Sequence, residues 1–175
     1  GLLLVFRTNS AYDRWGEGRK LWGAIVNNSR NLAIKINAMI PADDKENRNF
    51  FRVFIPNYVF AMKEHLRNGV KLEELEDHRA LSIANLSKHD HQPNMIAAKM
   101  YERLQQLYKR NKISGDQLIT IDGELKAFTD IIGACERIKN SPIPFSYNLF
   151  LKKFIFAYTI TLPFGLAHDF HYWTV

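Results

Sequence analysis

The sequence predicts an all-α protein built as a bundle of long helices. Apolar residues recur at steps of three and four through several long segments, as on one face of a helix. No stretch of useful length alternates apolar and polar residues, so β-strands are not expected. With 175 residues, the chain can form one domain with a sizeable core.

The first predicted helix covers residues 1–38. It opens on the apolar run LLLVF and continues with a patterned, polar sequence until Pro41 removes a backbone donor. Its apolar stripe is Ala11, Trp15, Trp22, Ile25 or Val26, Leu32 or Ala33, and Ile36. At about 1.5 Å per residue this helix is ~57 Å long, about twice the ~30 Å hydrocarbon core of a bilayer. It either leaves an apolar phase and enters water, or is a bundle helix whose start is buried by other helices.

A second helix is predicted over residues 45–67. Asp43 or Asp44 can cap its first turn. Pro56 lies inside it and predicts a kink or a widened turn. The Asn-Gly pair at 68–69 is a helix stop.

Two further helices are predicted, over residues 93–110 and 114–140. Ser114 with Gln117 three residues later is a capping box. The second of these helices carries a heptad-like seam suited to packing on a neighbour. That seam is Leu118, Ile121, Leu125, Phe128, Ile132 and Cys135.

The last helix is predicted to begin at Pro144, run to about residue 162, and kink or end at Pro163 and Gly165. No uninterrupted apolar run reaches ~18 residues, so no complete transmembrane helix is expected by that test. Two truncated candidates are residues 1–6 and the uncharged run 154–167, which follows Lys152 and Lys153. The chain starts at Gly1 without a polar lead-in and stops at Val175 without a terminal cap, so it is expected to be a fragment.

The charge balance favours a membrane over nucleic acid as the partner. The chain has a formal net charge of +6, 46% hydrophobic residues and a mean hydropathy of −0.26. A basic surface fits either nucleic acid or the cytoplasmic face of a membrane. The basic residues are spread along all the helices and do not form one stripe with stacking aromatics. Cys135 is the only cysteine, which excludes an internal disulfide.

No motif in the sequence predicts an enzyme or a cofactor. A glycine-rich phosphate loop and a nucleophile elbow are both missing, and acidic pairs such as Glu73-Glu74 are typical of a solvated face. His89 with His91, and His168 with His171, are two possible metal-binding pairs. A transition-metal site needs three or four converging ligands, and neither pair has a third ligand at helpful spacing. The sequence therefore predicts no metal site.

Several long motifs resemble the bestrophin family in the form found in bacterial homologues. They are RTNSAYDRW, EGRKLWG and SRNLA near the start, and GACERIKNSPIPFSYNLFLKKF and LPFGLAHDFHYWTV near the end. Bestrophins are pentameric membrane ion channels whose subunits have four transmembrane helices and a large helical cytosolic portion. Their second transmembrane helix lines a narrow hydrophobic neck and continues into the cytosol. The resemblance thus implies one channel-subunit domain over residues 1–175. It comprises the pore-lining-to-cytosolic helix 1–38, cytosolic helices over 43–140, and a return to the membrane over 144–175.

The resemblance also implies positions along an ion pathway. Leu2 and Phe6 match the neck-lining positions, and they lie four apart on one helical face. Asp116 matches the position that narrows the cytosolic exit, and Gln117 is the alternative if the alignment slips by one. An acidic residue in a first helical turn is also explained by the helix dipole alone.

The implied partners are further copies of this chain in a homopentamer, the lipid of a bacterial inner membrane, and small inorganic ions. Selectivity for chloride and other anions or for monovalent cations is left open, and calcium sensitivity is not assigned. The alternative function is a soluble helical oligomerisation domain without transport activity, associating through Trp15 and Trp22 and through the seam on the helix after Ser114.

Overall fold

The fold was analysed in a computed structural model that describes residues 2–67, 69, 71–80, 86, 90–141 and 145–170. Side-chain surroundings are described for these residues except 2–8, 72, 145–148 and 167–170. The described residues contain no β-strand, so the predicted all-α class is confirmed. Its α-helices are α1 (Leu2–Met39), α2 (Lys45–Arg67), α3 (Gln92–Lys109), α4 (Gly115–Asn140) and α5 (Phe145–Phe170). A short 3-10 helix covers Leu72–Glu74.

Helix α1 carries two apolar stripes where the sequence analysis predicted one. Ile25, Leu32 and Ile36 are buried in the core. Trp22 and Val26 lie about a quarter-turn away around the helix and are 38% and 37% exposed. The predicted stripe combined both sets. Trp22 is three residues from Ile25 and four from Val26, so a stripe defined by steps of three and four includes members of both sets.

The corner between α1 and α2 is held by one guanidinium group. Arg48 donates hydrogen bonds to the carbonyl oxygens of Asn37, Ile40 and Pro41 at 2.7 to 3.2 Å. These carbonyls lie in the last turn of α1 and in the two residues that follow it, where no further helical N–H is available. A cation at a helix C-terminus also complements the helix dipole.

The start of α2 is capped by Asp44, as one of the two predicted alternatives. Its Oδ1 accepts from the backbone N–H of Asn47 at 3.3 Å, and its carboxylate also pairs with Lys112. Helix α2 then continues through Pro56 without ending. Gly69 follows the helix with a φ of 105°, which is the conformation expected of a glycine stop.

Helices α3 and α4 complete the core. Helix α3 packs against α2. Asn111 has a φ of 53° just after α3, a conformation that asparagine tolerates better than most residues. In α4 the predicted capping box is confirmed: Gln117 Oε1 accepts from the Ser114 N–H at 2.9 Å, and Ser114 Oγ accepts from the Gln117 N–H at 3.2 Å.

The α4 seam packs inside this chain. Ile121, Leu125, Phe128 and Ile132 are buried in the core. Tyr58 of α2 donates a hydrogen bond from its hydroxyl to the carbonyl oxygen of Phe128 at 2.8 Å, and the two rings lie 4.8 Å apart. The alternative of an oligomerisation domain expected this seam to bind another subunit, and that expectation was wrong.

The chain divides into two compact units. One is Glu17–Lys139, which contains α2, α3 and the hydrophobic core. The other combines Gly1–Gly16 with Asn140–Val175, and within it the Arg14 side chain donates to the carbonyl oxygen of Ser141.

Helix α5 passes through Pro163, where a kink or an end was predicted, and continues to Phe170. Thr159 and Thr161 donate hydroxyl hydrogen bonds to the carbonyl oxygens of Ile155 and Ala157, at 2.8 and 2.9 Å. Within α5, residues Leu149–Leu166 have a mean hydropathy of 1.4, and only 6% of them are buried. This is a candidate membrane span, where only a truncated one over residues 154–167 was expected from the sequence. The earlier test required an uninterrupted apolar run, and Lys152 and Lys153 interrupt it.

Candidate functional site

The two predicted neck positions lie in the first turns of α1. Leu2 is the first residue of the helix and Phe6 follows four residues later. The backbone therefore has the helical geometry that places both residues on one face. Their side-chain surroundings lie outside the described part of the chain, so their neck-lining role stays a prediction.

The side chains at the two predicted aperture positions differ in solvent exposure and in hydrogen bonding. Asp116 is exposed in the first turn of α4, and its backbone carbonyl accepts from the Thr120 hydroxyl at 2.8 Å. Gln117 is half-buried, and its side chain reaches back to the Ser114 N–H. Because Gln117 is held in the capping box, Asp116 is the better placed of the two to face an ion pathway. That role also stays a prediction.

A cluster of two histidines and one carboxylate lies elsewhere in the unit Glu17–Lys139. His65 is in the last turn of α2, His91 is the N-cap of α3, and Glu136 is near the end of α4. Oε1 of Glu136 lies 2.7 Å from Nε2 of His65 and 2.9 Å from Nε2 of His91. The two imidazole rings are 4.5 Å apart and tilted by 32°. The ends of three helices thus meet at one carboxylate oxygen.

The second nitrogen of His91 has its own partner. Nδ1 of His91 accepts from the backbone N–H of Asn94 at 3.3 Å and so caps α3. A nitrogen that accepts a hydrogen bond carries no proton, so the neutral ring holds its proton on Nε2. In this tautomer His91 donates to Glu136.

The sequence pointed to His91 together with His89, and not to His65 or Glu136. Candidate ligands were sought close in sequence, whereas Glu136 is 45 residues from His91 and 71 from His65. No local spacing signals such a meeting. His89 and His171 lie outside the described residues, as do the side-chain surroundings of His168.

Comparison with known proteins establishes the family. The model of the bacterial and fungal bestrophin family matches residues 1–175. The chain belongs to this family, which confirms the resemblance seen in the motifs.

Relatives and solved structures agree with that assignment. The chain is 38% identical to the voltage-dependent anion channel-forming protein alr2987 of Nostoc sp., over 99% of this chain and 58% of the relative. It is 30% identical to the voltage-dependent anion channel-forming protein YneE of Escherichia coli, over 99% of this chain and 57% of the relative. A mutant form of a bacterial bestrophin homologue from Klebsiella pneumoniae matches with a TM-score of 0.90 and 25% identity, over 99% of this chain and 65% of that one. The chain thus spans somewhat more than half the length of these curated relatives.

Proposed function

We propose that the full protein is a subunit of a pentameric ion channel that passes small inorganic ions across a bacterial inner membrane. The observation that carries this proposal is the bestrophin match over residues 1–175, together with the continuous helix α1. Helix α1 has 38 residues, so at ~1.5 Å per residue it exceeds the ~30 Å bilayer core. Its LLLVF start then forms the inner end of the pore neck, and its patterned remainder lies in the cytosol.

Helix α5 supplies the second contact with the membrane. The span Leu149–Leu166 is apolar and largely unburied within this chain, as expected of a surface that faces lipid. Lys152 and Lys153 lie near the start of the span, and positive residues concentrate on the cytoplasmic side of membrane helices. This orients the start of α5 toward the cytosol, with most of residues 43–140 on the same side.

A second apolar surface fits assembly into a pentamer. Trp22 and Val26 form an exposed stripe on α1, beside the stripe that enters the core. In a channel built from identical subunits around an axis, a neighbouring subunit covers such a stripe.

The permeant ion is a small inorganic ion, and two features bear on its charge. The relatives alr2987 and YneE are named as anion channel-forming proteins. Asp116, placed at a cytosolic exit, would favour cations. We propose anions as the main permeant class and treat cation preference as the competing outcome.

The test is electrical recording from the full-length protein reconstituted in planar bilayers under asymmetric chloride salt. We expect single-channel events and a reversal potential displaced toward the equilibrium potential of the permeant ion. Protein-free bilayers and heat-denatured protein are the controls. Absence of channel events, or a monomeric or dimeric mass in mild detergent, would contradict the proposal.

A further inference from the structure

The His65, His91 and Glu136 cluster contains none of the residues assigned above to the ion pathway. We propose that it binds one divalent transition-metal ion, and that Zn²⁺ fits its donors best. The three groups come from α2, α3 and α4, all within the compact unit Glu17–Lys139. One ion bound there would join the ends of three helices.

The first argument is convergence. One ligand atom from each of the three residues lies within 4.8 Å of the other two. Both histidines direct Nε2 at Oε1 of Glu136, at 2.7 and 2.9 Å. With metal–ligand bonds of about 2.0–2.2 Å, ligand atoms of a tetrahedral site lie about 3.3–3.5 Å apart. The two nitrogen–oxygen distances therefore need to lengthen by about 0.4–0.8 Å to admit an ion.

The second argument is access. The side chains of His65, His91 and Glu136 are 25%, 32% and 29% exposed. This exposure leaves room for small side-chain rotations and gives an ion a route from solvent. It also leaves an open position for water as a fourth ligand, as in other sites with two histidines and one glutamate.

The third argument is the type of donor. Imidazole nitrogen suits Zn²⁺ and its neighbours among the transition metals, whereas Ca²⁺ and Mg²⁺ prefer sites made of oxygen atoms. Two imidazoles with one carboxylate therefore select against the common alkaline-earth ions. Bound Zn²⁺ would leave this set with a charge of +1. The Lys139 ammonium, which donates to the carbonyl oxygen of His65 at 3.2 Å, opposes the ion, and solvent at this open position screens that charge.

Metal binding would change the proton distribution on His91. With Nε2 bound to metal, a neutral ring carries its proton on Nδ1 and no longer accepts from the Asn94 N–H. The present bond is long, at 3.3 Å, so this exchange removes only a weak cap. The exchange can be measured locally. Bound zinc should increase hydrogen exchange at the Asn94 amide and should slow exchange at the other amides of the three helix ends that it joins.

The test is zinc binding to the full-length protein, purified in detergent and stripped with EDTA. Titration calorimetry with ZnCl₂ in a non-coordinating buffer should give one site per subunit. Elemental analysis after dialysis should give the same stoichiometry. Because zinc would bind the folded cluster and not the unfolded chain, it should also raise the melting temperature.

Three conservative variants separate metal binding from hydrogen bonding. His91→Asn keeps a good N-cap for α3, and His65→Gln and Glu136→Gln keep polar groups in place. Each should weaken zinc binding by at least about tenfold, the lower end of the loss seen when only an outer-shell partner is removed. His78→Gln is the control, because His78 interacts with Phe50, Phe54 and the Ala80 N–H outside the cluster. It should bind zinc as the unsubstituted protein does.

A spectroscopic measurement needs no variant at all. Co²⁺ titrated into the stripped protein should show the intense visible absorption of a four-coordinate ion. Zinc should then displace it. The proposal is overturned if the protein binds neither ion, if cobalt gives only the weak octahedral spectrum, or if the cluster variants and His78→Gln bind zinc equally well.

Discussion

Asp44 combines two stabilising roles at the corner between α1 and α2. Its carboxylate accepts from the Asn47 backbone N–H, and its side chain is only 8% exposed beside Lys112. Burial opposes ionisation of this group, but hydrogen bonds from Lys112 and Asn47 outweigh that effect and hold the pKa of Asp44 below its ordinary value of 3.8. The ionised form is therefore favoured in the folded state.

Two substitutions at Asp44 separate these roles. Asp44→Asn keeps the cap and loses the charge, so it should lower the free energy of unfolding by up to about 1 kcal/mol. Asp44→Ala loses both and should cost a further ~0.5–2 kcal/mol. Denaturant unfolding at neutral pH measures both changes. Equal losses for the two variants would show that the cap contributes nothing.

The lowered pKa of Asp44 also predicts that the free energy of unfolding depends on pH. Because the pKa of Asp44 is lowered by folding, its contribution is fully present above the unfolded-state value and is lost as pH falls through the folded-state value. The advantage of the unsubstituted protein over Asp44→Asn should therefore be constant near neutral pH, decline as the pH falls below 3.8, and vanish once the pH is below the folded-state pKa. An advantage that persists in strong acid would contradict the role of the charge.

Single residues also show where sequence reasoning stops. The Ser114 and Gln117 capping box could be predicted because its two members are three residues apart and act within one turn. The meeting of His65 with Glu136 could not, because it depends on how α2 and α4 pack across 71 residues of chain. A histidine in a last helical turn is usually explained by the helix dipole, so His65 carried no distinctive signal.

At the scale of elements, boundaries that depend on local chemistry were predicted well. The end of α2 at a glycine stop and the start of α4 at a capping serine follow from backbone conformation and unpaired N–H groups. At Pro163 a kink or an end was predicted, and the helix continues, because a proline removes one hydrogen bond but does not end a helix that neighbouring groups support. In membranes such helices are common, since an unravelled backbone would leave polar groups without partners.

Helix α5 yields a test of the membrane assignment. Ala157 is near the middle of the span Leu149–Leu166, so Ala157→Lys should raise the free energy of insertion by about 2.5–3.5 kcal/mol. Phe150→Lys is the matched control, because a lysine near a helix end can extend to the interface. The measurement is the inserted fraction of the α5 segment in a glycosylation-reporter assay. Equal insertion of both variants would show that α5 does not cross the bilayer.

At the scale of the whole molecule, the proposed pentamer would give a single residue a collective effect. If Phe6 lines the neck, five rings form an apolar constriction that resists wetting. Phe6→Ala in the full-length channel should then raise conductance or open probability. Leu4→Ala is the control, because Leu4 lies nearly opposite Phe6 on α1. If Phe6→Ala only lowers stability, by the ~3–5 kcal/mol typical of a buried phenylalanine, Phe6 is a packing residue and the neck lies elsewhere.

Asp116 gives the corresponding test at the cytosolic exit. Its side chain is exposed in the first turn of α4, whereas that of Gln117 is held by the Ser114 N–H. In a pentamer, one aspartate per subunit becomes a ring of five carboxylates, which concentrates cations and repels anions. Such a ring would act against the anion preference proposed above and would reduce it at low salt.

The measurement is the reversal potential of Asp116→Asn in asymmetric salt. Removing the ring should shift the reversal potential toward that of a more anion-selective channel. The shift should shrink as salt shortens the Debye length from about 10 Å at 0.1 M to about 3 Å at 1 M. Asp43→Asn is the control, because it removes the same charge from the exposed loop before α2. If the reversal potential is unchanged and only the melting temperature falls, Asp116 does not line the pore. It then only stabilises α4, by about 0.3–1 kcal/mol, through its interaction with the helix dipole.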